Sequence, residues 1–174
     1  MTFGKTSHTF DKILKPMQVK YLFPSKYKKF GWIILIPAAI LGVLDLFMEW
    51  EPAFLDWRVP AIYMDEILGE TTYFGWIENN VLNEMLAVLV ILGSILVAFS
   101  KQRNEDEFIS KIRLESLVWA TYTNYIVLLL AFLFVFEMGF LWVMIFNMFT
   151  ILLFFIIRFN WQIQKMKSIE INAE

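Results

Sequence analysis

The chain has 174 residues, of which 59% are hydrophobic and only 18% charged, against about 45–50% and about 25% in an average soluble domain. Its 18 Phe, 9 Met, 7 Trp and absent Cys, with a mean hydropathy of +0.59, exclude a disordered chain, a nucleic-acid-binding domain and a disulfide scaffold. What remains is an integral membrane protein whose net charge of −2 conceals an uneven distribution.

Residues 1–29 form a basic tail. Phe10, Ile13, Leu14, Met17 and Tyr21 recur at helical spacing with Lys12, Lys15 and Lys20 between them, the pattern of an amphipathic segment lying on an anionic leaflet, although Pro16 interrupts it. Four stretches, 30–48, 81–100, 117–136 and 139–157, are then apolar enough to cross a hydrocarbon core of about 30 Å, which takes roughly 20 helical residues. The first is too long and too far from the start for a cleaved signal, so it is expected to be a retained anchor. The third and fourth part at Glu137-Met138-Gly139, where a carboxylate and a glycine suit a hairpin tip at the headgroups.

The loop 49–80 carries Glu49, Glu51, Asp56, Asp65, Glu66, Glu70 and Glu78, with an amphipathic helical turn or two expected in Ala61–Glu70. It reads as a lid over helix ends, or else as an extracytoplasmic cation or partner site. In the segment 101–116, Asn104 followed by Glu107 is a capping-box spacing, which predicts a helix starting at Glu105 and running through the third span. That helix is longer than the bilayer, so its first turns project as a cytoplasmic extension. The remaining segment, 158–174, is a cytoplasmic tail.

Orientation follows from Lys and Arg. Of the fifteen basic residues only Arg58 falls between the first two spans, so the positive-inside rule places both termini and the middle loop in the cytoplasm. Tryptophan agrees independently: Trp32, Trp119 and Trp161 fall near the inner boundary and Trp50, Trp76 and Trp142 near the outer one. The expected fold is all-α: a single transmembrane domain, a four-helix bundle with N-in/C-in topology in the cell inner membrane.

Three groups of polar residues are candidates for function. Asp45 and Glu84 lie near the outer ends of spans one and two and form a candidate ion or proton site, or else interfacial caps. Glu107, Phe108, Lys111 and Ile112 on the projecting helix form a candidate docking face for a membrane or cytoplasmic protein, or else a stripe covered by the N-terminal segment or the Trp161–Lys167 stretch. Thr121, Asn124 and, across the hairpin, Thr150 are uncharged, fall at similar depths on the last two spans and suit interhelical hydrogen bonds, while Asn147, nearer the outside, is expected to bond a different helix. Small residues at four-residue spacing, Ala38 with Gly42 and Ser94 with Ala98, allow spans one and two to approach closely.

The only histidine, His8, lies in the basic tail, so no span carries a haem ligand or a His relay, and no Ser–His or Cys–His nucleophile pair exists. No catalytic residue, metal site, cofactor or nucleic-acid partner is expected. Glu105 to Ser116 leading into span three, with Ile145 to Thr150 and Arg158 to Trp161, resembles small uncharacterised inner-membrane proteins of bacteria, over about a third of the chain. That resemblance implies a bacterial inner-membrane setting and no particular activity. Small multidrug transporters also have four short helices, but their first helix carries a Glu at mid-depth, where Ile40 stands here. The expected role is therefore a non-enzymatic accessory or regulatory protein embedded in the bilayer and acting through protein contacts. The alternative is a small homo-oligomeric transporter or channel for cations or small solutes.

Overall fold

A computed structural model of the chain describes residues 21–48, 50–64, 72–103 and 105–173. Among them are four helices and one two-stranded sheet: α1 (Lys26–Met48), β1 (Asp56–Met64), β2 (Thr72–Asn80), α2 (Leu82–Ala98), α3 (Glu107–Phe134) and α4 (Met138–Ala173), with a short 3-10 turn at Ala53–Leu55. The N-terminal amphipathic segment up to Lys20, together with Glu49, Asp65, Glu66, Glu70 and Asn104, lies outside the described residues.

Three of the helices, α1, α3 and α4, are long and apolar enough to cross a membrane. Their surfaces make the same point physically. Only 11% of the most apolar stretch of α3, and of α4, is buried within the protein, so residues such as Leu129, Phe132 and Met148 face outward. An apolar surface of that extent exceeds the few hundred Å² that water-soluble monomers expose. The fourth, α2, is shorter than its sequence implies: it ends at Ala98 rather than Ser100, leaving 17 residues. Phe99 turns and Ser100 pairs with Phe23 in an isolated parallel bridge, with the Phe23 amide donating to Phe99 O at 2.9 Å and the Lys101 amide to Phe23 O at 2.8 Å.

The all-α expectation needs correction in the loop between α1 and α2. Ala61 to Met64, expected as helix, belongs to β1, which pairs antiparallel with β2 from Asp56↔Asn80 to Met64↔Thr72. The physical reason is composition: Trp57, Val59, Ile62, Tyr63, Thr72, Tyr73, Trp76 and Ile77 all favour extended backbone. Pro60 is tolerated because each strand of a two-stranded sheet is an edge, where one side of the ladder needs no donor. Asn80 closes the base: its Nδ2 donates to Asp56 Oδ1 at 2.7 Å and to Pro52 O at 3.0 Å, while its Oδ1 accepts from the Leu82 amide at 3.3 Å at the start of α2.

Two further boundaries differ from expectation. The helix α3 begins at Glu107, two residues later than the capping-box spacing suggests, because Asp106 serves as its N-cap and accepts from the Ile109 amide at 2.8 Å. And the helix expected at Trp161–Lys167 is continuous with the last span: α4 runs unbroken to Ala173. The hairpin between α3 and α4 does turn where the sequence indicates. The Val135 amide closes α3 on Ala131 O, Glu137 takes a positive φ of 55°, and α4 starts at Met138.

By their contacts the residues divide into two compact units, one from the N-terminal side to Gly31 plus Ser94 onward, the other Trp32–Gly93. The core of the first is a helix pair. One face of α3 (Ile109, Ile112, Arg113, Ser116, Ala120, Asn124) and one stripe of α4 (Phe155, Ile156, Phe159, Ile163) are buried. These recur at the three- and four-residue steps of a packed helical face. In each unit a glycine allows close approach. A Cβ on Gly31 would stand 2.9 Å from Leu96 Cβ, Val97 Cγ2 and the Val97 nitrogen, and one on Gly93 would stand 3.0 Å from the Leu35 nitrogen. Sequence spacing pointed instead to Gly42, which has nothing within 4 Å, whereas Ala38, Ser94 and Ala98 are all buried.

Candidate functional site

The densest polar constellation lies in the first unit, where the start of α3 meets the end of α2. Helix α2 finishes with carbonyls that lack helical partners. Arg113, on the second turn of α3 and 6% exposed, serves this end: Nη1 donates to Ala98 O at 2.9 Å and Nη2 to Ser100 O, just past the helix, at 3.4 Å. The same Nη2 reaches both oxygens of Glu105, at 2.9 and 3.1 Å, and the Gln102 amide donates to Glu105 Oε2 at 2.7 Å. The guanidinium carbon lies 4.6 Å from the centre of the Phe159 ring on α4, within the range of a cation–π contact. One arginine therefore joins α2, α3, α4 and the intervening loop.

A second cation lies near the same aromatic ring. Lys28 Nζ lies 5.8 Å from the Phe159 ring centre and donates to Asn160 Oδ1 at 2.8 Å, while Asn160 Nδ2 donates to Ile156 O at 2.8 Å. Next to Phe159 in the chain, Arg158 lies 5.1 Å from the Trp119 ring centre and 5.2 Å from that of Trp161, with Lys165 5.9 Å from the latter. The cluster is thus cation-rich, with Glu105 the one carboxylate that pairs into it among the described residues.

Of the sequence-derived candidates, the interhelical polar group is largely brought together. Asn124 Oδ1 accepts from Asn147 Nδ2 at 3.3 Å and from the Thr150 hydroxyl, which links α3 to α4. Thr121 is not part of this group, because its hydroxyl donates at 2.9 Å to Leu117 O of its own helix. On the docking face, Glu107, Phe108 and Lys111 are exposed, but Ile112 is turned into the buried face of α3 and leaves the proposed surface. Asp45 is half-buried and Glu84 is exposed, with Glu84 Oε1 accepting from Asn79 Nδ2 at 2.9 Å. No group of three or more His, Asp or Glu side chains suited to a metal ion occurs among the described residues.

Sequence reasoning missed Arg113 and Glu105 as a pair. They stand eight positions apart and only one is helical, so no helical-spacing rule links them. The signal that was present is a carboxylate before the helix start and an arginine on its apolar stripe. No protein family, curated protein or solved structure matches the chain.

Proposed function

We propose that this chain is a non-enzymatic, multi-pass protein of the cell inner membrane, with both termini cytoplasmic, that works as an accessory or regulatory subunit by binding another protein. The apolar, outward-facing surfaces of α1, α3 and α4 support residence in a bilayer. In this reading α2 also crosses; its 17 residues span about 26 Å, a shortfall that local thinning accommodates at modest cost. The lopsided distribution of Lys and Arg supports the orientation.

The observation that carries the protein-contact reading is the two-sided start of α3. Ile109, Ile112, Arg113 and Ser116 are buried and fix the helix, while Glu107, Phe108, Lys111, Leu114 and Glu115 on the other side are exposed. Phe108 and Leu114 are 55% and 59% exposed beside charges of both signs, an apolar and charged mixture that suits a polar-rimmed protein interface. The test is purification from the native membrane in mild detergent, comparing the native chain with a Glu107→Lys/Lys111→Glu double variant. The expected result is a stoichiometric protein partner that the variant loses while keeping its thermal midpoint. A native chain that purifies alone, or a partner retained equally by both, would overturn the reading.

A further inference from the structure

An open groove of about 380 Å³ lies in the first unit beside the Arg113 cluster, lined by Leu22, Pro24, Ser25, Lys101, Gln102, Arg103 and Glu105. That volume falls within the ~300–1,000 Å³ of ligand sites. Its charges are not balanced internally. The Glu105 carboxylate is already neutralised by Arg113 and by the Gln102 amide. Lys101 and Arg103 are exposed and form no ion pair among the described residues. The Gln102 side-chain nitrogen is buried and has no hydrogen-bond acceptor, an arrangement that costs free energy unless something accepts from it. Two cations without an ion pair among the described residues, the residue that carries the orphaned donor and a serine thus line one groove.

We infer that this groove binds a phosphate group, carried by an anionic lipid headgroup or by a soluble phosphate. Phosphate offers several acceptor oxygens and full negative charge, so it satisfies two cations and an amide donor at once, as a carboxylate does less completely. Leu22 and Pro24 add an apolar part to the lining that suits the glycerol end of a lipid. The site is separate from the exposed face of α3 and does not depend on the protein-contact reading.

The test uses the full chain in uncharged detergent, probed by native mass spectrometry and thermal shift with phosphatidylglycerol or phosphatidic acid in one arm and inorganic phosphate in the other. Three variants are compared with it: Lys101→Gln/Arg103→Gln; Gln102→Leu, which removes the orphaned donor without changing charge; and Lys26→Gln/Lys29→Gln, which removes the same charge from residues that do not line the groove. The first is expected to weaken retention by about tenfold or more, as loss of charge-assisted hydrogen bonds does. Gln102→Leu is expected to weaken it by a smaller factor, and the lysine control by less than about threefold. Binding in the lipid arm alone assigns the headgroup as the source, and binding of inorganic phosphate assigns a soluble ligand. Equal losses from the two charge-removing double variants, or no binding by the native chain in either arm, would overturn the inference.

Discussion

Arg113 and Asn124 stand on the same buried face of α3, three turns or about 16 Å apart, yet the protein treats them differently. Arg113 is a full charge and is met by a carboxylate, two backbone carbonyls and an aromatic face. Asn124 is neutral and is met by two side-chain donors from α4. In the proposed topology the first lies at the cytoplasmic end and the second towards mid-depth. The comparison teaches how the buried face of α3 holds a charge: with a carboxylate and carbonyls around it, because burying an unpaired ion costs several kcal/mol, while a neutral amide needs just a partner or two.

The sharpest way to break that contrast is to remove the charge. Arg113→Ala leaves the Glu105 carboxylate without its counter-ion, held by the Gln102 amide alone, and removes the side-chain donor of the Ala98 carbonyl. Truncating one partner of such a pair costs about 3–5 kcal/mol. Thermal unfolding in detergent, followed by tryptophan fluorescence, should show the largest loss of any substitution considered, and a shift no greater than that of Asn124→Ala would show that the cluster is weak. Next in size is Gly31→Ala. The added methyl meets the Val97 backbone nitrogen at 2.9 Å, which cannot move aside like a side-chain tip, so the overpacking should cost about 1–3 kcal/mol. Gly42→Ala, with open space around it, should instead be neutral or stabilise by up to about 1 kcal/mol through helix propensity.

These two glycines show what the sequence could and could not tell. The position of the long apolar helices and of the α3–α4 turn was legible, because hydropathy and a single Glu-Met-Gly break report directly on them. The close approaches were not: small residues at i and i+4 mark a face only if the neighbouring helix crosses there, and Gly42 meets no neighbour while Gly31, in the predicted headgroup zone, does. The hairpin was missed for a related reason. Pro60 and the run Ile62, Met64, Ile67, Leu68 argued for a loop with a helical turn, and strand pairing is a long-range choice that depends on Trp57 to Met64 finding Thr72 to Asn79. Of the candidate site, the pairing of Asn124 with Thr150 was legible from the hairpin geometry, whereas Asn147, expected to bond a different helix, donates to Asn124 within the same helix pair. Arg113 with Glu105 was not legible, since its partners come from a helix end, a loop and a second helix at once.

Asn124→Ala sharpens the other half of the comparison. It removes the shared acceptor of Asn147 and Thr150, and interhelical hydrogen bonds in membranes average about 0.6 kcal/mol and reach about 1.7. The expected loss is therefore about 1 kcal/mol, well below that of Arg113→Ala, measured by the same thermal unfolding.

The smallest effect on stability is expected at the exposed side of α3, and it separates folding from recognition. Lys111 and Glu115 are paired at 3.9 Å, with their side chains 72% and 57% exposed. An exposed i,i+4 pair contributes about 0.3–0.5 kcal/mol and is screened by salt. Lys111→Gln should thus shift the thermal midpoint by an amount that vanishes at high ionic strength. Arg113 sits two residues further on and is buried, so its contribution should persist under the same conditions. If salt instead erased both effects alike, Arg113 would be solvated rather than enclosed, and the distinction between a fixed inner face and a free outer face of this helix would fail. A salt-insensitive Arg113 with a salt-sensitive Lys111 leaves the outer face free to change its charge at little cost to the fold, which is the property a docking surface requires.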